Sequence, residues 1–118
     1  MIVTEKRAQV TLALAELALG ALEVTVPQLR SDLEQFGGTN DITFVKGDAK
    51  KGLVHIEKRH GVEAVPHVVE AVVAGKITKF IPPKKTVHIV NDGYEAVLSL
   101  DKNGQKKTWL LTGWDIRA

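Results

Sequence analysis

The sequence predicts one small α+β domain, in which N-terminal helices pack on a C-terminal antiparallel β-meander. Apolar residues recur at helical spacing through much of the first 74 residues. After Gly75 the pattern changes to short β-branched runs, separated by an Asn-Asp-Gly turn and an Asp-Lys-Asn-Gly turn. The 118 residues, 44% of them hydrophobic, suffice for one core, so we expect residues 1–118 to form a single domain.

The first predicted helix covers residues 5–22, because apolar side chains recur from Val10 at i, i+4, i+7 and i+11. Its apolar face is wide and extends through Leu12 and Leu19. Such a helix is either buried on two sides or packs against another chain, which would give self-association through the N-terminal helix. Glu16 interrupts the apolar run, which falls short of the roughly 20 residues that span a bilayer, so we expect no membrane partner.

Three further helices are predicted before the sheet. One begins near Pro27 and ends at Gly37, which can take the left-handed conformation of a helix stop. The other two cover residues 53–60 and 64–74, and a glycine follows each of them. Strands are predicted at residues 42–45, 76–81, 86–90, 94–100 and 105–111.

The composition excludes several functional classes. Cysteine is absent, which rules out disulfides, thiolate nucleophiles and Cys-based zinc sites, and fits a reducing compartment. The start of the sequence lacks the order of basic, apolar and small residues of a secretory signal, so we expect a cytoplasmic protein. The formal net charge of +2 is too small to indicate a polyanion partner by itself.

The segment with the highest density of reactive side chains is residues 52–61, GLVHIEKRHG. On a helix, His55 and Arg59 lie on one face at i, i+4, whereas His60 follows Ile56 at the edge that we expect to touch the core. Two histidines can supply a base and an acid near neutral pH. The alternative is that one histidine caps the last turn of the helix and the other is a solvated surface residue.

Metal catalysis is a weaker interpretation of the same segment. His55 and His60 are five positions apart, whereas the helical metalloprotease motif needs them four apart with a glutamate after the first. Ile56 occupies that glutamate position, although His67 or His88 could add a third ligand. We therefore predict neither a metal site nor a cofactor.

A second group of candidate residues closes the last predicted strand, within TWLLTGW at residues 108–114. Strict alternation puts Leu110 and Thr112 on one face, where Thr112 would line a site at the strand end, and Trp109 on the other, in the core. Trp114 follows Gly113, outside this alternation, and could stack on a nucleobase or cover the core as a lid. Thr112 read alone is equally compatible with an exposed strand residue.

These residues together resemble the phage-encoded nucleases of the barnase/EndoU/colicin/RelE-like superfamily. The resemblance rests on the GLVHI and RHG sequences at residues 52–61, the valine-rich helix ending at Gly75, and the terminal WLLTGW. It covers residues 52–114 as a nuclease-like core, whereas the helical portion at residues 1–45 contributes nothing to it.

The resemblance implies a barnase/EndoU/RelE-like fold and a metal-independent endoribonuclease, in which the RNA 2′-hydroxyl attacks the adjacent phosphodiester and leaves a 2′,3′-cyclic phosphate. Carried over by motif, His55 and His60 would be the acid/base pair, Arg59 would neutralise the phosphate, and Thr112 would donate a hydrogen bond to it. Some relatives use a tyrosine near the terminal strand, whereas this chain has Trp114 there. An indole cannot act as a phenol, so the tyrosine role of those relatives is not carried over.

The resemblance also implies partners. RNA would be the substrate, bound through three lysines and an indole, namely Lys50, Lys51, Lys58 and Trp114. An immunity or antitoxin protein, or a phage head protein, would be a protein partner. Two other classes stay open: a non-catalytic module that binds nucleic acid or a phage protein, and a structural or antitoxin-like protein that assembles through Leu12 and Leu19.

Overall fold

The computed structural model describes residues 3–117, which form an α+β fold, as predicted. The three α-helices are α1 (Val3–Ala18), α2 (Gly52–His60) and α3 (Ala64–Ala74). Two short 3-10 helices cover Ser31–Phe36 and Pro82–Lys84. The strands are β1 (Glu23–Val26), β2 (Ile42–Val45), β3 (Lys76–Ile81), β4 (Thr86–Asn91), β5 (Tyr94–Lys102) and β6 (Gln105–Asp115).

All six strands belong to one sheet, in the order β1-β2-β6-β5-β4-β3. The last three form the antiparallel meander that their turns predict, and β3 adds a fourth antiparallel strand beyond that prediction, because it pairs with β4 across Pro82-Pro83. The β4–β5 register follows from the turn, since Asp92 and Gly93 both have positive φ and Asn91 pairs with Tyr94. The sequence did not predict β1, which lies antiparallel beside β2. It also did not predict that β2 lies parallel beside β6, with Thr43 opposite Trp109.

The helices and one face of the sheet share a single apolar core. On α3 the fully buried Val68 and Val72 face the sheet, where they meet the equally buried Leu98 and Leu110. Ile56 brings α2 into the same core. We call the opposite side of the sheet the outer face, and the side chains of Thr112 and Trp114 lie there.

The prediction of a helix beginning at Pro27 is wrong. β1 ends at Val26, and the helical turns start only at Ser31, as a 3-10 helix. Gln28 has a φ of 53°, in the left-handed region, so the chain cannot run on from Pro27 as a right-handed helix. The predicted stop is confirmed, because Gly37 has a φ of 88° and its backbone N–H caps the last turn.

The first helix is shorter than predicted, since it ends at Ala18 rather than at residue 22. Gly20 has a φ of 119°, and the chain then turns into β1. Leu12 and Leu19 are 65% and 89% exposed, so the wide apolar face is only partly covered within this chain. Among the helices of residues 3–117, none is long and apolar enough to cross a bilayer.

Candidate active site

The side chains of β6 do not alternate strictly between the two faces of the sheet, and this determines which of them share the outer face. Leu110 pairs with Leu98 and Thr112 pairs with Val97, so a bulge at Leu111 lies between them. Because neighbouring residues of β5 point to opposite faces, Leu110 faces the core and Thr112 faces outward. The prediction that Thr112 and Leu110 share a face is therefore wrong.

The bulge also brings both tryptophans to the side of Thr112. Trp109 pairs with Ser99 and Trp114 pairs with Glu95, and both partners point outward with Val97. Trp114 lies inside β6, so the expectation that it follows the strand is wrong. Trp109 is 6% exposed, so its predicted burial is confirmed, but it is buried on the outer face and outside the main hydrophobic cluster.

Two predicted histidines meet at the C-terminal end of α2. The rings of His55 and His60 lie edge to face, with centroids 5.8 Å apart. The His60 ring also contacts the indole of Trp114, at 6.3 Å between centroids. The structure thus brings together three residues that the sequence assigned to one site from two distant segments.

His60 is exposed, which corrects the expectation that it would touch the core below Ile56. It is the last residue of α2, and Gly61 then takes a φ of 96°, so the ring extends past the end of the helix instead of under it. Partial burial against its neighbours lowers the pKa of His60 from its ordinary 6.5, and the positive charges of His55 and Arg59 lower it further. The ring is therefore predominantly neutral at pH 7.

The orientation of His55 is set by the loop before its helix. Its Nδ1 lies 2.9 Å from the carbonyl oxygen of Ala49. A carbonyl oxygen only accepts hydrogen bonds, so Nδ1 carries the proton and Nε2 is the atom left for chemistry. The segment of residues 46–52 therefore positions a histidine besides carrying lysines.

A third histidine, which the sequence suggested only as a spare metal ligand, lies on the other side of Trp114. The His88 ring is 6.4 Å from the indole, and its Nδ1 lies 2.7 Å from Oε2 of Glu95. Both side chains are largely buried, with 11% and 17% of their surfaces exposed. The signal that could have found this pair is the Asp92-Gly93 turn, whose register makes His88 and Glu95 diagonal neighbours on one face of the hairpin.

One row of cross-strand neighbours links His88 to Thr112. His88 pairs with Val97, which pairs with Thr112, and on the other side His88 pairs with Lys79 of β3. With strands about 4.8 Å apart, the backbones of His88 and Thr112 are separated by roughly 10 Å. The two side chains therefore border one surface without being direct partners.

The predicted basic residues flank the two histidines in sequence and are exposed. Lys50 and Lys51 lie in the loop before α2, while Lys58 and Arg59 lie in its last turn. Arg59 acts on His60 through its charge, and within residues 3–117 its guanidinium takes part in no ion pair. It is accordingly available to an anion.

The single tyrosine is placed away from this group. Tyr94 pairs with Asp115 on the core side of the sheet, where its ring stacks on His67 with centroids 4.5 Å apart. Arg117 covers the tyrosine ring at 5.2 Å. Neither Tyr94 nor His67 thus reaches the outer face.

Across the described ranges, no three His, Asp or Glu side chains are arranged to hold a metal ion. No protein-family model matches the chain, and no curated protein matches its sequence.

Proposed function

We propose that this protein is a metal-independent endoribonuclease of the barnase/EndoU/RelE-like kind, which cleaves RNA by attack of the 2′-hydroxyl on the adjacent phosphodiester. The observation that carries the proposal is that His60 contacts both His55 and Trp114, whose indole lies on the outer face of the sheet. Imidazoles beside an indole combine proton transfer with a stacking surface for a base. A nuclease site uses proton transfer for the reaction and a stacking surface to hold the nucleotide.

His60 is suited to act as the base. Its lowered pKa keeps the ring neutral at pH 7, so a ring nitrogen can accept the proton of the 2′-hydroxyl. Besides burial, the charges of His55 and Arg59 lower the pKa of His60. Arg59, which would bind the phosphate, thus also favours the unprotonated base.

The reaction also needs an acid for the leaving 5′-oxygen and donors for the charge that develops on the phosphate. The sequence-based assignment names His55 and His60 as an acid/base pair, so with His60 as the base the acid step would fall to His55. Arg59 would neutralise the phosphate, and the outward hydroxyl of Thr112 would donate to a non-bridging oxygen.

Binding of the strand would rest on charge and stacking. The exposed lysines Lys50, Lys51 and Lys58 would contact backbone phosphates, and the partly exposed Trp114 would stack on a base. By the same resemblance, we propose a cytoplasmic, phage- or toxin-associated enzyme with an immunity protein or a phage head protein as its partner.

The test is incubation of the purified protein with RNA in EDTA, followed by analysis of the fragment ends. We expect cleavage that persists under chelation and leaves 2′,3′-cyclic phosphate and 5′-hydroxyl ends. His60→Gln should abolish it, whereas the matched control His67→Gln, on the far side of the sheet, should cleave as the wild type does.

Two outcomes would contradict the proposal. Loss of cleavage on chelation, restored by zinc, would indicate metal-dependent chemistry. RNA binding without any cleavage would instead favour the non-catalytic binding module, since Trp114 and the lysines suffice for affinity.

A further inference from the structure

The proposed reaction places a geometric demand on its acid and base. The attacking 2′-oxygen and the leaving 5′-oxygen lie roughly in line, on opposite sides of the phosphorus. The group that takes a proton and the group that gives one must therefore approach from different sides. His55 and His60 belong to one helix and contact each other edge to face, so both approach from the same side.

His88 approaches Trp114 from another direction. α2 packs against β6 and β2, whereas His88 lies on β4, which is separated from β6 by β5. The indole therefore has His60 at 6.3 Å and His88 at 6.4 Å, held by elements on opposite flanks of β6. A phosphodiester beside this indole would meet one imidazole from each flank.

The ring of His88 has one nitrogen fixed and one free. Nδ1 donates to the Glu95 carboxylate, which can only accept. Nε2 makes no hydrogen bond to any of residues 3–117. The His88 side chain keeps 11% of its surface exposed, and Nε2 is the ring nitrogen that the ion pair with Glu95 does not occupy. A protonated ring would keep its ion pair with Glu95 and present Nε2–H outward.

We propose that His88 is the general acid of this site and that Glu95 is its positioning residue, an inference that rests on the proposed ribonuclease function. As the O2′–P bond forms, His60 takes the 2′-hydroxyl proton. The P–O5′ bond breaks, its electron pair stays on the 5′-oxygen, and that oxygen takes the proton from Nε2 of His88. The products are a 2′,3′-cyclic phosphate and a 5′-hydroxyl, and exchange with water restores both rings.

In this arrangement His55 has a different role from the one that the motif implies. Its charge acts on His60, and its ring is held by Ala49, so it tunes and supports the base. Loss of His55 should then impair the step that the base performs. It should not affect the protonation of the leaving 5′-oxygen.

The test compares single-turnover cleavage of an RNA oligonucleotide with that of the same oligonucleotide carrying sulfur in place of the scissile 5′-oxygen. A thiolate leaves without protonation because a thiol is far more acidic than an alcohol. His88→Gln should slow the oxygen substrate by about a hundredfold or more, the usual worth of a positioned acid, and cleave the sulfur substrate within a few-fold of the wild type. His60→Gln should slow both substrates, and the control His67→Gln neither.

Glu95→Gln separates positioning from a structural role. Because Glu95 acts through His88, this variant should lose at least about tenfold on the oxygen substrate and recover on the sulfur one. A general structural defect would slow both substrates alike. Equal losses on both substrates in His88→Gln, or recovery on sulfur in His55→Gln instead, would overturn the inference while the proposed function stands.

A binding measurement covers the case in which these variants do not fold. The wild-type protein is titrated with an oligonucleotide that has 2′-deoxyribose at the cleavage position and is followed by NMR of its histidine rings. We expect the signals of both His60 and His88 to shift. Shifts at His60 without His88 would overturn the inference alone. If wild-type protein cleaves neither substrate and no ring responds, the proposed function and the inference fail together.

Discussion

Replacement of Gly113 by alanine tests how closely α3 packs on β6, the strand that carries Thr112 and Trp114. Gly113 lies between Thr112 and Trp114 and points to the core, where a Cβ would come within 2.9 Å of Cγ2 of Val68 and 2.7 Å of the carbonyl oxygen of Glu95. Carbon atoms pack best at about 3.5–4.0 Å, so either α3 or the strand must move. This overpacking costs about 1–3 kcal/mol.

An opposing term makes the prediction sharper. A glycine in a strand costs roughly 0.5–1 kcal/mol relative to alanine, so Gly113→Ala would be stabilising if space were available. The two terms leave a net loss of roughly 0–2.5 kcal/mol in the free energy of unfolding. Because the added Cβ would meet both Val68 and a backbone oxygen closer than 3.0 Å, we expect the upper half of that range, above about 1 kcal/mol, measured by urea denaturation. A variant as stable as the wild type would show that α3 does not pack on β6 as described.

A double-mutant cycle identifies the partner. In a Val68→Ala background, which removes the two closest methyl groups, Gly113→Ala should cost at least about 0.5 kcal/mol less than in the wild type. Gly104→Ala is the control, because Gly104 has a φ of 82° and open space around it. Its cost is conformational and should be the same in both backgrounds. Additivity at Gly113 would contradict the contact.

Three further predictions concern the outer face. Replacing the exposed Lys50, Lys51 and Lys58 by glutamine should weaken RNA binding. The slope of log affinity against log salt should fall by about 0.7–0.9 for each phosphate that is no longer neutralised. An unchanged slope would show that the RNA does not contact these lysines. His55→Ala should raise the pKa of His60, because it removes a charge that lowers it; an NMR titration of the ring with an unchanged midpoint would refute this. The pKa of His60 in the folded protein lies below its ordinary 6.5, so as pH falls the unfolded chain protonates this ring first and the folded state loses stability. His60→Ala should therefore lessen the fall in stability as pH drops below about 6.5, as measured by denaturation across pH.

Local pattern predicted most of the elements because their signals are local. β2 and β3 match the predicted ranges, and α3 begins and ends as expected. The strands β4 to β6 run further than predicted, since pairing in the meander extends into residues that have weak strand preference by themselves. The helix predicted at Pro27 was wrong because the turn at Gln28, which has a positive φ, prevents a helix from starting there despite the local helix-start signal.

The sequence predicted some residues of the candidate site but not the contacts between them. The density of histidine and arginine in residues 52–61 is a property of the sequence, and so is the pair of tryptophans near its end. His88 and Glu95 were missed as a pair because their contact depends on the register of a hairpin rather than on a motif. The exposure of His60 likewise depends on where α2 ends.

The sequence by itself determined the α+β class, the order of the elements from β2 onward and the turn between β4 and β5, because periodicity and turn residues act over a few neighbouring positions. Only the tertiary structure decided that β2 pairs parallel with β6, that a bulge turns Thr112 outward, and that α2 lies beside β6. Those features depend on which distant segments bury each other's apolar faces, and no local pattern specifies that choice. They bring His60 and His88 to the same indole, from segments 28 positions apart.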